Sequence, residues 1–134
     1  MVVLFFVFLQ KTTMMSNNIP LGKLGEDLAA QFLINKGYMI LERNWRSHHK
    51  EVDIIALDGK TLVIVEVKTR KSDEYGLPDL AVNKRKQRLL ISAANAYILS
   101  HPIDLEARFD IISIYFEGEN AVIEHYEDAF QPLF

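Results

Sequence analysis

The segment Leu62-Val63-Ile64-Val65-Glu66-Val67-Lys68 constrains this chain more than any other. Its run of apolar, mostly β-branched residues follows an Asp58-Gly59 turn signal and predicts a strand buried in a sheet. Into that strand the sequence sets a carboxylate and an ammonium two residues apart. Residues i and i+2 of a strand share a face, so Glu66 and Lys68 stand side by side. Buried charges cost on the order of several kcal/mol unless they are paired or bind a metal. The two residues therefore form either a structural ion pair or part of a catalytic site.

Upstream, Glu51-Val52-Asp53-Ile54-Ile55-Ala56-Leu57 is a second near-continuous apolar run. A two-residue Asp58-Gly59 loop joins the two runs as a hairpin. Leu57 then pairs with Lys60, Asp53 faces Ile64, and Glu51 faces Glu66. In that register Asp53, Glu66 and Lys68 project from one side, with Asp53 and Glu66 diagonal neighbours about 7–8 Å apart. Two converging carboxylates suit one divalent cation, each Mg–O bond being about 2.0–2.1 Å. A loop of odd length would turn Asp53 to the other face. Metal-assisted hydrolysis fits this set: Asp53 and Glu66 hold Mg²⁺ or Mn²⁺, and Lys68 orients the water or stabilises the pentacovalent phosphate. A Glu66–Lys68 pair without chemistry is the alternative. Glu51 reads as a further ligand or, more simply, as a solvated charge at a strand end.

Composition bounds the rest. The 134 residues suffice for one domain with a real core, and 49% hydrophobic with 25% charged content argues against disorder. The absence of cysteine excludes disulfides, thiolate zinc sites and Cys nucleophiles, and makes a reducing cytoplasm the default compartment. The net charge of −3 is unevenly spread: residues 43–88 hold 11 Lys and Arg against 7 Asp and Glu, leaving 4 against 11 elsewhere. The basic part is the part that carries Asp53, Glu66 and Lys68. That asymmetry suits a phosphate-facing side and an acidic back, with solvated surface charge as the plain alternative.

Residues 1–14 are set apart from the domain of residues 15–134. Met1 to Leu9 is intensely apolar but far shorter than the roughly 20 residues of a membrane span, so no membrane partner is expected. No Lys or Arg precedes it and no small-x-small cleavage site follows before Met14. An over-extended start, with translation beginning at Met14 or Met15, is the favoured reading. A packed or interfacial segment and a secretion signal are the others.

From there the order reads α-β-β-β-α-β-β. Ser16 to Pro20 is turn and cap material. Leu21, Leu24, Leu28, Ala29, Phe32 and Leu33 recur at helical spacing to Lys36, where Gly37 stops the helix. Tyr38–Glu42 is a short strand, and Arg43 to Lys50 a polar, basic connection. The hairpin of residues 51–69 follows, then a charged loop from Arg70 to Pro78. Residues 79–99 form a second helix, and strands over Arg108–Phe116 and Ala121–His125 flank a turn at Glu117–Asn120. That order implies a mixed sheet with helices packed on it.

Other charges invite a nucleic-acid reading. Arg43, Trp45, Arg46, His48 and His49 read as a loop touching a phosphate backbone, or as a mobile surface loop. Lys84-Arg85-Lys86-Gln87-Arg88 opens the second helix, where positive charge opposes the dipole and an anionic partner would relieve it. Arg70 opens the charged loop that follows the strand of Glu66 and Lys68. Glu26 lies well off the apolar helix face, and periodicity gives it no role beyond an acid near a helix N-terminus.

Gly25-Glu26, Glu51-Val52-Asp53-Ile54-Ile55-Ala56, Val65-Glu66-Val67-Lys68-Thr69-Arg70, Ala81-Val82 with Lys86, Arg108-Phe109-Asp110 and Ala129-Phe130 together resemble the bacterial YraN-type family. That family is similar in sequence to the PD-(D/E)XK nucleases, closest to archaeal Holliday-junction resolvases. The resemblance runs from about Met15 to the C-terminus. It implies a restriction-endonuclease-like α/β fold, a mixed sheet flanked by helices. It makes Asp53 and Glu66 metal ligands, Lys68 the catalytic lysine, and Glu26 a helix-borne acid near the metal. Lys50 stands where the family usually has Gly. The function so implied is a Mg²⁺-dependent (or Mn²⁺-dependent) endonuclease acting on DNA, on branched or flapped structures. Arg43, Arg46, Arg70, Lys84 and Lys86 would bind the nucleic acid, and a homodimer would match the two symmetric cuts of a junction. The alternative is a non-catalytic nucleic-acid- or protein-binding module that retains the fold.

Overall fold

The computed structural model describes residues 2–8, 19–71 and 82–132, the first stretch by its backbone alone. Its elements are β1 (Val2–Phe8), α1 (Leu21–Asn35), β2 (Met39–Ser47), β3 (Lys50–Asp58), β4 (Thr61–Lys71), α2 (Lys84–Ser100), β5 (Glu106–Glu117) and β6 (Asn120–Phe130). The strands join into one sheet in the order β1-β6-β5-β4-β3-β2. β4 and β5 run parallel, and every other pair is antiparallel. A parallel step needs a crossover, and α2 lies within it. From α1 onward the order is the expected α-β-β-β-α-β-β of a mixed sheet flanked by helices. One strand is added to it. Within the segment set apart in the sequence, the backbone of Val2–Phe8 lies along the outer edge of β6, Val2 opposite Tyr126 and Phe8 opposite Asn120.

Each helix covers one face of the sheet. Ala29, Ala30, Phe32 and Leu33 of α1 pack with Ile54, Ala56, Val63, Val65, Ile112, Ile114 and Ile123. Leu90, Ala93, Ala94 and Tyr97 of α2 pack with Val52, Ile55, Leu62, Ile64, Phe109 and Ile111 on the other face. Alternate residues of β4 thus serve alternate cores, which is why its apolar run is continuous. The α1 helix ends where Gly37, at φ +94°, turns the chain back. The Gly37 amide donates to Ile34 O and the Tyr38 amide to Leu33 O, both at 2.9 Å, closing a Schellman motif.

Four expectations shift in the structure. The hairpin closes at Asp58 opposite Thr61, so its two loop residues are Gly59-Lys60 rather than Asp58-Gly59. Gly59 takes φ +58°, which suits the first central position of a II′ turn. The segment Arg43 to Lys50 is not a loop: β2 runs on to Ser47, and only His48-His49 bridge Ser47 to Lys50. A polar segment can be a strand here because β2 is the sheet edge, where charged side chains remain in water. The second helix starts at Lys84, not at residue 79, because Asn83 caps it by accepting the Lys86 amide at 2.8 Å. Finally, two strands run longer than read: β4 continues through Arg70 to Lys71 instead of yielding to a loop at Arg70, and β6 extends past His125 to Phe130. The loop read over residues 72–78, the helical residues 79–81, and Ser16 to Asn18 lie outside the described residues.

A buried polar network ties the ends of β2, β3, β5 and β6. Arg108 donates from Nε and one terminal nitrogen to the two oxygens of Asp110, both at 2.9 Å, and also reaches Asp58 at 3.0 Å and the Tyr38 hydroxyl at 2.7 Å. Asp110 accepts from His125 Nε2 at 2.8 Å and from the Asp128 amide at 3.0 Å. Lys36 Nζ lies 2.9 Å from His125 Nδ1, so the imidazole is held between the Lys36 ammonium and the Asp110 carboxylate. Burial alone would raise the Asp110 pKa, but the bonds from His125, Arg108 and the Asp128 amide outweigh it and hold the carboxyl below its ordinary value.

Gly25 sets how closely α1 sits on the sheet. A Cβ built there would come within 1.9 Å of Thr69 Oγ1, so only glycine allows this approach. Gly25→Ala is expected to lower stability by about 1–3 kcal/mol through overpacking, measured by urea unfolding, and Thr69→Ala to recover part of that loss. Equal stability of Gly25→Ala and the parent would contradict this packing.

Candidate active site

The β3–β4 ladder ends at Ile54 opposite Val65, and the next residues on the two strands are Asp53 and Glu66. Continued in this register, Val67 would stand opposite Val52. Instead, its amide donates to Asp53 Oδ2 at 2.8 Å. The Asp53 carboxylate therefore turns into the fork where the two strands part. β2 deforms at the same level, where Asn44 adopts φ +51° between the paired residues Arg43 and Trp45. The register slid by two residues from the one read in the sequence. Two is even, so Asp53 remains beside Glu66, now as its cross-strand rather than its diagonal neighbour.

Glu66 and Lys68 continue the alternation of Leu62 and Ile64 onto the α2 side of β4, while Val63, Val65 and Val67 face α1. From the α2 side, Lys86 Nζ approaches Glu66 Oε2 to 3.6 Å. That separation makes an ion pair but not a hydrogen bond, and Glu66 Oε2 is buried with no hydrogen-bond donor. From the α1 side, Glu26 comes near enough for its charge to raise the Asp53 pKa. It stands in the second turn of α1, so the helix-dipole reading of Glu26 does not apply.

Electrostatics ties these groups together. Asp53 is pushed up to about 7, chiefly by burial, then by the charges of Glu66 and Glu26, against the Val67 amide and Lys86, which lower it. Glu66 is also raised by burial, with Lys86 and Lys68 pulling the other way and Glu51 adding to the rise. Two crowded, desolvated carboxylates call for positive charge. A divalent cation fits this donor set: Mg²⁺ is commonly held by one or two carboxylates, and Glu66 Oε2 is a buried acceptor without a donor. Among the described residues, no group of three or more His, Asp and Glu side chains converges into a complete metal cage. Glu26 acts on Asp53 through its charge.

The residues expected to meet nucleic acid are dispersed. Arg43 pairs with Asp27 of α1 at 2.6 Å. Arg46 is exposed on edge strand β2, 3.5 Å from Glu51. Trp45 is half-buried and packs edge-on against Tyr97 of α2, with ring centroids 5.2 Å apart. Arg70 lies over the Tyr115 ring at 5.0 Å. Lys84 is exposed at the start of α2, and Lys86 turns inward to Glu66. Sequence reasoning missed that inward turn, because pairing Lys86 with Glu66 requires knowing how α2 crosses the sheet. It also missed the Val67 amide, a backbone donor that no side-chain pattern announces.

A mixed sheet with one helix on each face and an acid fork beside an E-x-K strand defines the α/β class of this protein. Residues 25–114 match the family described as uncharacterised protein family UPF0102, the YraN-type family, and the chain belongs to it. A UPF0102 protein of Flavobacterium psychrophilum is 52% identical over 116 residues, covering 87% of this chain and 98% of that protein. One from Syntrophus aciditrophicus is 46% identical over 118 residues, covering 87% and 93%. Among solved structures, Pyrococcus furiosus SfsA in complex with Ca²⁺ aligns with a TM-score of 0.35 and 18% identity. The alignment covers 79% of this chain and 62% of that one, and the likeness is too loose to carry an argument. Among the described residues, no helix is long and apolar enough to cross a membrane.

The raised Asp53 has a consequence for pH. The unfolded chain releases this proton near 3.8 and the folded chain near 7, so the folded form binds more protons between those values. Stability of the metal-free protein should therefore fall as pH rises from about 4 to about 7. Asp53→Asn should reduce that slope and stabilise the metal-free protein at pH 8 by about 1–3 kcal/mol in urea unfolding. An unchanged slope in the variant would contradict the assignment.

Proposed function

We propose that this protein is a metal-dependent endonuclease that hydrolyses DNA phosphodiester bonds, acting on branched or flapped structures. The observation that carries this reading is the Asp53–Glu66 carboxylate pair at the β3–β4 fork, with Lys68 two residues along the same strand. Asp53 and Glu66 would hold Mg²⁺ or Mn²⁺. When bound, that ion supplies Lewis acidity, lowering the pKa of a water and neutralising phosphate charge. The chain's own residues do the rest. The Val67 amide fixes one oxygen of Asp53 and leaves the other for a ligand. Glu26 adds negative charge on the α1 side, favouring a cation over a proton in the fork. Lys68 stabilises the charge that builds on the phosphoryl oxygens. Arg43, Arg46, Arg70, Lys84 and Lys86 would meet the phosphate backbone around this point, and none forms a base-reading element, which favours shape over sequence. A symmetric junction would be met by a homodimer, and a cysteine-free chain acting on DNA belongs in the cytoplasm.

One observation favours a second reading, a binding module without catalysis. The two carboxylates already have the Val67 amide and Lys86 as partners. Cleavage assays on linear, flapped and four-way-junction DNA with Mg²⁺ and with Mn²⁺ separate the two. The parent should cut the structured substrates only with metal, and Lys68→Ala should cut at least about 100-fold more slowly. No metal-dependent cutting, or equal cutting by the variant, would overturn the nuclease. Salt-dependent DNA binding that survives in both without cutting would establish the module.

A further inference from the structure

We propose that Lys86 is a displaceable counter-ion, whose ammonium neutralises the carboxylate fork until a divalent cation enters and is then released toward a DNA phosphate. The inference rests on the nuclease reading above.

Three observations converge on Lys86. Its Nζ lies 3.6 Å from Glu66 Oε2, near enough for attraction but too far to satisfy that oxygen. The contact is thus electrostatic and loosely held, unlike the two-pronged Arg108–Asp110 pair at 2.9 Å. The two partners also differ in access to water: the Glu66 side chain is 15% exposed and the Lys86 side chain 41%. The acid is fixed in the fork, while the lysine reaches it from solvent on a flexible four-carbon stem. Third, Lys86 feels both carboxylates, since its charge opposes the pKa rise of Asp53 as well as that of Glu66.

The backbone of Lys86 is held by a short hydrogen bond, while its side chain meets Glu66 at 3.6 Å. Its amide is the one that caps α2 through Asn83 Oδ1 at 2.8 Å. The first turn it belongs to carries Lys84 and Arg85, both exposed, and no acidic residue. A lysine leaving Glu66 therefore stays on the most cationic turn of the described chain, at the positive end of a helix dipole, where a phosphate is favoured. Charge balance supplies the direction of exchange. With Lys68 and Lys86 present, the fork with Glu26 is close to neutral. A divalent ion added to it makes one ammonium surplus, and Lys86, its side chain 41% exposed, has a path to water. An incoming phosphodiester would take up that charge. Metal and DNA should then favour one another through this side chain, each raising the other's affinity by the same factor.

The test uses the full chain, Lys86→Met, which keeps the length and apolar stem, and Lys86→Arg, which keeps the charge. Mn²⁺ is titrated by calorimetry in the absence of DNA. The inference expects Lys86→Met to bind Mn²⁺ about tenfold more tightly than the parent, and Lys86→Arg to stay near the parent value. In a Lys68→Ala background, which blocks cutting, Mn²⁺ should raise the affinity for four-way-junction DNA several-fold, read by fluorescence anisotropy. Adding Lys86→Met should abolish that gain. Equal or weaker Mn²⁺ binding by a folded Lys86→Met would overturn the exchange while leaving the metal site standing. If neither the parent nor the variant binds Mn²⁺, the metal reading of the fork fails and the exchange falls with it. Thermal unfolding of each variant confirms that it is folded before titration.

Discussion

At the fork between β3 and β4, the amide of Val67 donates to the Asp53 carboxylate at 2.8 Å. This bond takes the place of a rung of the ladder, and the rest of the site depends on it. It ends the pairing at Ile54–Val65 and turns Asp53 inward beside Glu66. Packing then builds on that opening from both faces. The bare backbone of Gly25 lets α1 descend onto Thr69, which brings Glu26 within electrostatic reach of Asp53. On the other face, the capped start of α2 delivers Lys86 to Glu66. Burial then makes both carboxylates poor anions until a cation compensates them.

A fork weakens a sheet, and the structure is strongest elsewhere. The Arg108–Asp110–His125 network lies toward the hairpin end of the sheet, with every charge met by a close partner. It fastens β5 and β6 to the start of β2 through Tyr38 and to the end of β3 through Asp58. The contrast with the fork is chemical. A satisfied buried network rigidifies, whereas an acceptor left without a donor invites a ligand.

Much of this was legible in the sequence, for reasons that can be named. Helical spacing and Gly37 marked α1 and its end, and alternation across two apolar runs marked the hairpin. The face shared by Asp53 and Glu66 survived a wrong loop assignment because strand faces repeat every two residues and the register slid by two. Trp45 and the arginines of β2 were misread as loop because an edge strand has little need of apolar side chains. The Arg108–Asp110 pair shows the limit of pattern. It is the same signal as Glu66 and Lys68, opposite charges two apart in a buried strand, yet it closes on itself through two hydrogen bonds. Whether such a pair is structure or site depends on what the neighbouring strands and helices bring, and that information is long-range. The family resemblance supplied Glu26 for the same reason: its relation to Asp53 crosses from helix to sheet.

The most direct test of the central claim is anomalous diffraction from crystals soaked in Mn²⁺. The account predicts one strong peak at the fork, within coordinating distance of both the Asp53 and Glu66 carboxylates. The absence of a peak there, or peaks confined to surface carboxylates elsewhere, would contradict it.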